Sequence, residues 1–163
     1  MNTGQSLLSI GAMLLLSLSI LRVNNGILSS DSVMQNSKIG VLATSIGTSL
    51  IEEASKKAFD EVSVDDAVLD INSLTSPYSL GPSWGETPDT YNDFDDYNGY
   101  VTVDTVYSID FKMSCDVCYV DPYNVDSKET TKTWHKKMTV NITSSFITDT
   151  LRYSTVYSYW HFR

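Results

Sequence analysis

The side chains best equipped for chemistry lie in one acidic run, Asp89-Thr90-Tyr91-Asn92-Asp93-Phe94-Asp95-Asp96-Tyr97-Asn98-Gly99-Tyr100. Asp93, Asp95, Asp96 and Asn98 gather hard oxygen donors in one short loop, the ligand type that Ca²⁺ prefers. Closely spaced carboxylates repel, and a divalent cation would relieve that repulsion. The run departs from the EF-hand pattern, because its Gly is displaced and no Glu closes the loop. Two readings stay open, a calcium loop and a solvated acidic turn ahead of the first strand. Cys115-Asp116-Val117-Cys118 is a C-x-x-C pair. Zinc would need two more ligands, and only His135 and His161 are available. A redox centre would need a helix start in a βαβ setting, whereas this pair follows a strand pattern. In an exported protein the pair is expected to form a local disulfide between Cys115 and Cys118. Asn141-Ile142-Thr143 is a glycosylation sequon, which makes Asn141 a candidate acceptor. Both histidines directly follow a Trp and read as packing residues. No nucleophile–base–acid set, Gly-rich phosphate loop or H-E-x-x-H motif is present, so an enzyme is not expected.

The elements that must carry these residues fall into two parts. Residues 1–60 read as a long assembly helix and residues 61–163 as an acidic, β-rich head. From Leu7 to Leu21 the chain is apolar apart from Ser, Gly and Ala, and Arg22 is its first charged residue. Beyond it, Ile39, Leu42, Ile46, Leu50, Ala54 and Ala58 recur every three or four residues, as on one helix face. Glu52 and Glu53 precede Lys56 and Lys57 in the order that favours helical ion pairs. Together these predict one helix from Leu7 to about Asp60, loosened near Asn24-Asn25-Gly26. At about 1.5 Å per residue it would be on the order of 80 Å long. After it, Tyr100–Val103, Val106–Phe111, Trp134–Ile142 and Leu151–Phe162 carry strand patterns, with Lys136 and Lys137 interrupting the third. Turn-rich Asp121-Pro122-Tyr123-Asn124 and Asp126-Ser127-Lys128-Glu129 join two of them. The fold class expected is α+β, a long amino-terminal helix followed by a small antiparallel sheet. The tail from Tyr157 to Arg163 alternates rings on two faces, so contact with a neighbouring subunit is expected there.

Charge narrows the partners. The 163 residues carry a formal net charge of −9. Between Asp60 and Asp110 there are twelve acidic residues and no Lys or Arg. Such a surface repels phosphate backbones, which argues against nucleic acid. The apolar stem spans about the 20 residues that cross a bilayer core. Met1-Asn2-Thr3-Gly4 has no basic residue, and no clean small-x-small site follows the apolar run. The stem is therefore expected to stay on the mature protein rather than leave as a secretory signal. One head of this size cannot cover both halves of such a helix, so the stem needs other copies of itself, or lipid.

Gly4 ahead of Gln5-Ser6-Leu7-Leu8, then an all-apolar first helical half and a β-rich head, resembles the type IV pilin superfamily. The chain departs from that family at Ser9, where the family has Glu, and in its leader, which lacks a basic residue. Runs like Asp95-Asp96-Tyr97-Asn98-Gly99 occur in pilin-like proteins, which implies a structural loop. The resemblance implies a membrane-embedded precursor in an inner membrane, an export and assembly machine, and a homopolymer on the cell surface. The expected function is thus a structural subunit of an extracellular helical filament. Leu7, Leu8, Ile10, Leu14, Leu15, Leu18, Leu21, Ile39, Leu42, Ile46 and Leu50 are the expected assembly face. No cofactor is required in this reading, with Ca²⁺ as an optional ligand. The alternatives are a single-pass membrane anchor displaying a binding head, or a calcium-dependent adhesion protein that does not polymerise.

Overall fold

The computed structural model describes residues 2–147 and 149–162, the side chains of His161 and Phe162 excepted. Met1, Arg163 at the end of the aromatic tail, and the His161 ring considered for zinc therefore lie outside the described residues. The protein is α+β, with one long helix, α1 (Thr3–Ser55), followed by a small antiparallel sheet of five strands. Helix α1 continues through Gly26 without interruption. It ends at Ser55, ahead of Lys56 and Lys57. The expected helical ion pairs therefore do not form, and Lys57 Nζ donates instead to the Tyr91 carbonyl (2.7 Å).

The chain divides into two compact units, Met1–Ile39 and Gly40–Arg163. The division falls inside α1 rather than at residue 60, so the last turns of the helix belong to the head. In the first unit, Leu7, Leu15 and Leu21 are 72%, 71% and 58% exposed. Three of its serines turn their hydroxyls back onto the helix. Ser9, Ser17 and Ser37 donate to the carbonyls of Gln5, Met13 and Val33 at 3.0, 2.8 and 2.9 Å. A helical Ser bonded one turn back presents little free polarity to an apolar surrounding.

In the head, Ala43, Gly47, Leu50 and Ala54 of α1 are buried, at spacings that hold them on one helical face. They pack in a core shared with the sheet. Strands β1 (Val101–Val106), β2 (Ile109–Asp121), β4 (His135–Ser144) and β5 (Leu151–Ser158) lie in the order β1-β2-β4-β5. Strand β3 (Asn124–Lys128) folds back on the end of β2. All pairings are antiparallel. Alternation along β2 sends Phe111, Met113, Cys115, Val117 and Tyr119 inward. Opposite them on β4, Ile142, Val140, Met138 and Lys136 point the same way. Gly47 lets the helix approach this face closely, since a Cβ there would stand 2.7 Å from Ile142 Cδ1 and 3.1 Å from Tyr153 Cδ2.

Three expectations about strands change. Val106–Phe111 is not one strand, because Tyr107 and Ser108 turn the chain between β1 and β2 with φ of 51° and 64°. The Asp121–Asn124 turn and the segment after it form the β2–β3 hairpin. The tail ends in a one-turn 3₁₀ helix, Tyr159–Phe162, not in a strand. Tyr157 and Tyr159 are buried against Phe59, with ring centroids 5.8 and 5.6 Å away, so these rings serve the head's own core.

Candidate functional site

The acidic run folds inward. After α1, Ala58 and the run pair through two backbone bonds, Ala58 N to Asn92 O (3.1 Å) and Phe94 N to Ala58 O (2.8 Å). That pairing sets Asp60 beside the loop. Asp93 and Asp96 then lock the loop reciprocally. Asp96 N donates to Asp93 Oδ1 (3.0 Å), and the amides of Asn92 and Asp93 donate to Asp96 Oδ2 (2.9 and 3.1 Å). Asp95 begins a 3₁₀ turn, Asp95–Tyr97. Asp60, Asp93, Asp95 and Asp96 are all at most 2% exposed.

Into this cluster β4 delivers Lys136, which is 0% exposed. Its ammonium donates to Asp60 Oδ2 (2.7 Å), to the Phe59 carbonyl (2.8 Å) and to Asp95 Oδ1. The rings of Phe59 and Tyr119 flank it, with centroids 4.6 and 5.3 Å from Nζ. Asp60 has further donors in the amide and hydroxyl of Thr75 and the hydroxyl of Tyr119. Burial works to raise the Asp60 pKa, but Lys136 and Thr75 outweigh it and hold the carboxyl below its ordinary value. Asp93 goes the other way. Burial first, then the charges of Asp95 and Asp96, push it up to about 8. Burial likewise raises Asp95, against the pull of Lys136.

This geometry redistributes the predicted sites. Asp93, Asp95 and Asp96 do come together, but Lys136 pairs with Asp95 alone of the three, while Asp93 and Asp96 accept from loop amides. Asn98 is directed elsewhere, its amide nitrogen to the Leu80 carbonyl and its oxygen to the Val117 amide, both at 2.9 Å. Among the described residues no group of three or more His, Cys, Asp or Glu side chains is arranged to hold a metal ion. Lys136 had read as an interruption of the strand pattern. Its parity with Met138, Val140 and Ile142 is the signal that places it inside. The local disulfide is also corrected, since Cys115 and Cys118 are both free thiols. Three residues apart on continuous β2, they stand about 10 Å apart along the strand, beyond disulfide reach. Cys115 faces the helix side with Val117 and Tyr119, and Cys118 faces the other side, paired with Lys137. Burial pushes the Cys115 thiol up to about 12. His135 Nδ1 is 2.7 Å from the Ser158 hydroxyl. Asn141 lies mid-strand in β4, half-buried, with its side-chain oxygen accepting from Arg152 Nε (3.0 Å).

The expected assembly face divides with the two units. Leu7, Leu8, Ile10, Leu14, Leu15, Leu18 and Leu21 are all more than half exposed. Ile39 and Leu50 are buried, and Leu42 and Ile46 are half-buried. Leu50 therefore belongs to the head's own core. Around residues 3–38 the apolar side chains point to every side of α1, with none buried. The helix is long and apolar enough to cross a membrane, by length and composition. No family model, curated protein or solved structure matches this chain.

Proposed function

We propose that this chain is a structural subunit of an extracellular helical filament, held together by residues 3–38 of α1 with the acidic heads outermost. One observation carries this reading. From Leu7 to Leu21 the stem is apolar apart from Ser, Gly and Ala, and its large side chains there are exposed on all sides, a state that water does not tolerate. Each Leu or Ile withdrawn from water contributes about 1.5–3 kcal/mol, and every added copy repeats the gain. In lipid the same helix is a membrane-embedded precursor. Among other copies it is the core of a polymer, and head-to-tail contacts that do not close into a ring give an open helix of subunits.

Negative-stain microscopy of the full-length protein, after detergent removal, tests this directly. Fibres are expected from the wild type. Leu15→Asp should abolish them, because a carboxylate in the packed apolar core costs several kcal/mol without a partner. Its circular dichroism should still show a folded head. Monomers or small oligomers for the wild type, with no fibres, would instead mean a membrane-anchored display protein.

A further inference from the structure

The Lys136 cluster holds an amine and a carboxyl in direct contact, sealed from water. Lys136 Nζ touches Asp95 Oδ1, and their side chains are 0% and 2% exposed. A second carboxylate, Asp60, accepts from the same nitrogen at 2.7 Å and is 0% exposed. The two carboxyls differ in what else binds them. Asp60 is wrapped by Thr75 and Tyr119 donors, the surroundings of a carboxylate kept as a base. The carboxyl of Asp95 accepts no backbone amide or hydroxyl among the described residues, and Asp93 lies beside it as a side-chain partner. Aromatic rings, Phe59 and Tyr119, close over the amine.

We propose that Lys136 and Asp95 condense to an intramolecular amide that ties β4 to the acidic loop. The step balances within the cluster. Asp93 passes a proton to the Asp95 carboxylate, making it the neutral acid, and Asp60 takes one proton from the Lys136 ammonium. The free amine attacks Asp95 Cγ and forms the C–N bond. The C–OH bond breaks, and the hydroxyl leaves with the second amine proton as water. One proton stays on the Asp60–Asp93 pair, as one was there before. No oxidant, nucleotide or external enzyme enters. Two features favour the product. Contact between fixed groups supplies the high effective concentration that a bimolecular condensation lacks. Exchanging a buried ammonium and carboxylate for a neutral amide also removes two charges from a dry site. The elevated proton affinity of Asp93 is consistent with its part as the acid.

Tandem mass spectrometry of a tryptic digest of the denatured full-length protein decides the matter. Trypsin should release Thr133–Lys136 and Ala58–Lys112 as separate peptides if the two side chains are unjoined. The expected result is a branched species that joins Ala58–Lys112 to Thr133–Lys137, one water lighter than the sum of those two peptides, because trypsin does not cut after an acylated Lys136. Fragment ions should place the branch on Asp95. An unmodified Thr133–Lys136 peptide as the main product overturns the proposal, leaving a buried ion pair. A branch on Asp60 overturns the choice of electrophile. Asp60→Asn, checked for retained sheet by circular dichroism, should leave most chains unbranched. Branching undiminished in a folded Asp60→Asn protein would remove Asp60 as the base. Should that variant fail to fold, the wild-type digest still decides.

Discussion

Taking an ammonium or a carboxylate out of water costs several kcal/mol per ion, so a head that buries Lys136 with Asp60, Asp93, Asp95 and Asp96 ties its stability to protonation. Asp60 and Asp93 pull in opposite directions. Asp60 sits below its ordinary value in the folded head, so its contribution is present above the unfolded carboxylate range and is lost as pH falls through the folded value. Asp93 is raised to about 8, mainly by burial, so its contribution is complete below the unfolded carboxylate range and is lost as pH rises towards 8. Desolvation leads the causes for Asp93, so the direction holds whether Lys136 and Asp95 are ion-paired or joined. The melting temperature of the head should therefore fall between about pH 5 and about pH 8, by at most about 1.4 kcal/mol of stability per pH unit from this group. Asp93→Asn can still accept from the Asp96 amide through its side-chain oxygen, and it should flatten that slope. A wild-type melting temperature that rises over the same range would contradict the assignment. Residue types alone left the acidic run open between a cation-holding loop and a solvated turn. They did not point to a buried lysine, because Lys136 is 41 residues from Asp95 and meets it only through β4. The two cysteines misled for a related reason. Their spacing fits a turn, and here the turn is replaced by uninterrupted strand.

At the level of elements, the helix–sheet contact turns on small residues. Expectation placed the helical stripe on Ile39, Leu42, Ile46, Leu50, Ala54 and Ala58, because large apolar side chains dominate a periodicity reading. Ile39, Leu50 and Ala54 are buried as that stripe implies, but the face also turns onto Ala43 and Gly47 and leaves Leu42 and Ile46 half-buried, letting α1 lie close on β4 and β5. Gly47 is the tightest point. Gly47→Leu must displace Ile142, which is fully buried, together with the Tyr153 ring, so it should destabilise by about 1–3 kcal/mol. Gly47→Ala meets the far end of the Ile142 side chain, which has room only to rotate. There the gain in helix propensity, about 1 kcal/mol, opposes the repacking cost, and stability should stay within about 1 kcal/mol of wild type. Urea unfolding of both variants measures this, and a Gly47→Leu protein as stable as wild type would mean the helix is not seated there. The strands were legible from alternation through Met138, Val140 and Ile142 in β4, despite the lysines before it, and from the Tyr, Thr and Val content of β5. The β1–β2 turn was not, since two-residue turns with positive φ are normally marked by Asn-Gly or Asp-Gly, and here they are Tyr107 and Ser108.

For the whole molecule, the question is where the stem stops and the head starts. Composition suggests residue 60, where the acid-rich stretch begins and helical periodicity ends. Packing divides the chain at Ile39 and Gly40 instead. The physical reason is that charge marks the surface of the head, while its core is completed by a helical segment that carries little charge. From Gly40 on, the chain contains Ala43, Gly47, Leu50 and Ala54 as well as Asp60, hence both the helical half of the core and the base that meets Lys136. A fragment beginning at Gly40 should therefore fold alone and remain monomeric, since it has lost the exposed apolar residues from Leu7 to Val33. A fragment beginning at Glu61 keeps all five strands but leaves the inner face of β2 and β4 uncovered and Lys136 without Asp60. It should be unfolded or aggregated. Circular dichroism, size-exclusion chromatography and cooperative thermal melting of the two fragments separate the alternatives. If the shorter fragment folds as stably as the longer one, the helix from 40 to 55 is a free part of the stem, and residues such as Leu42 and Ile46 return to the assembly face. If only the longer one folds, the part of α1 left uncovered is residues 3–38, uncharged up to Arg22 and carrying only Arg22, Asp31 and Lys38 from there on. In the filament reading proposed above, self-association must then rest on that segment.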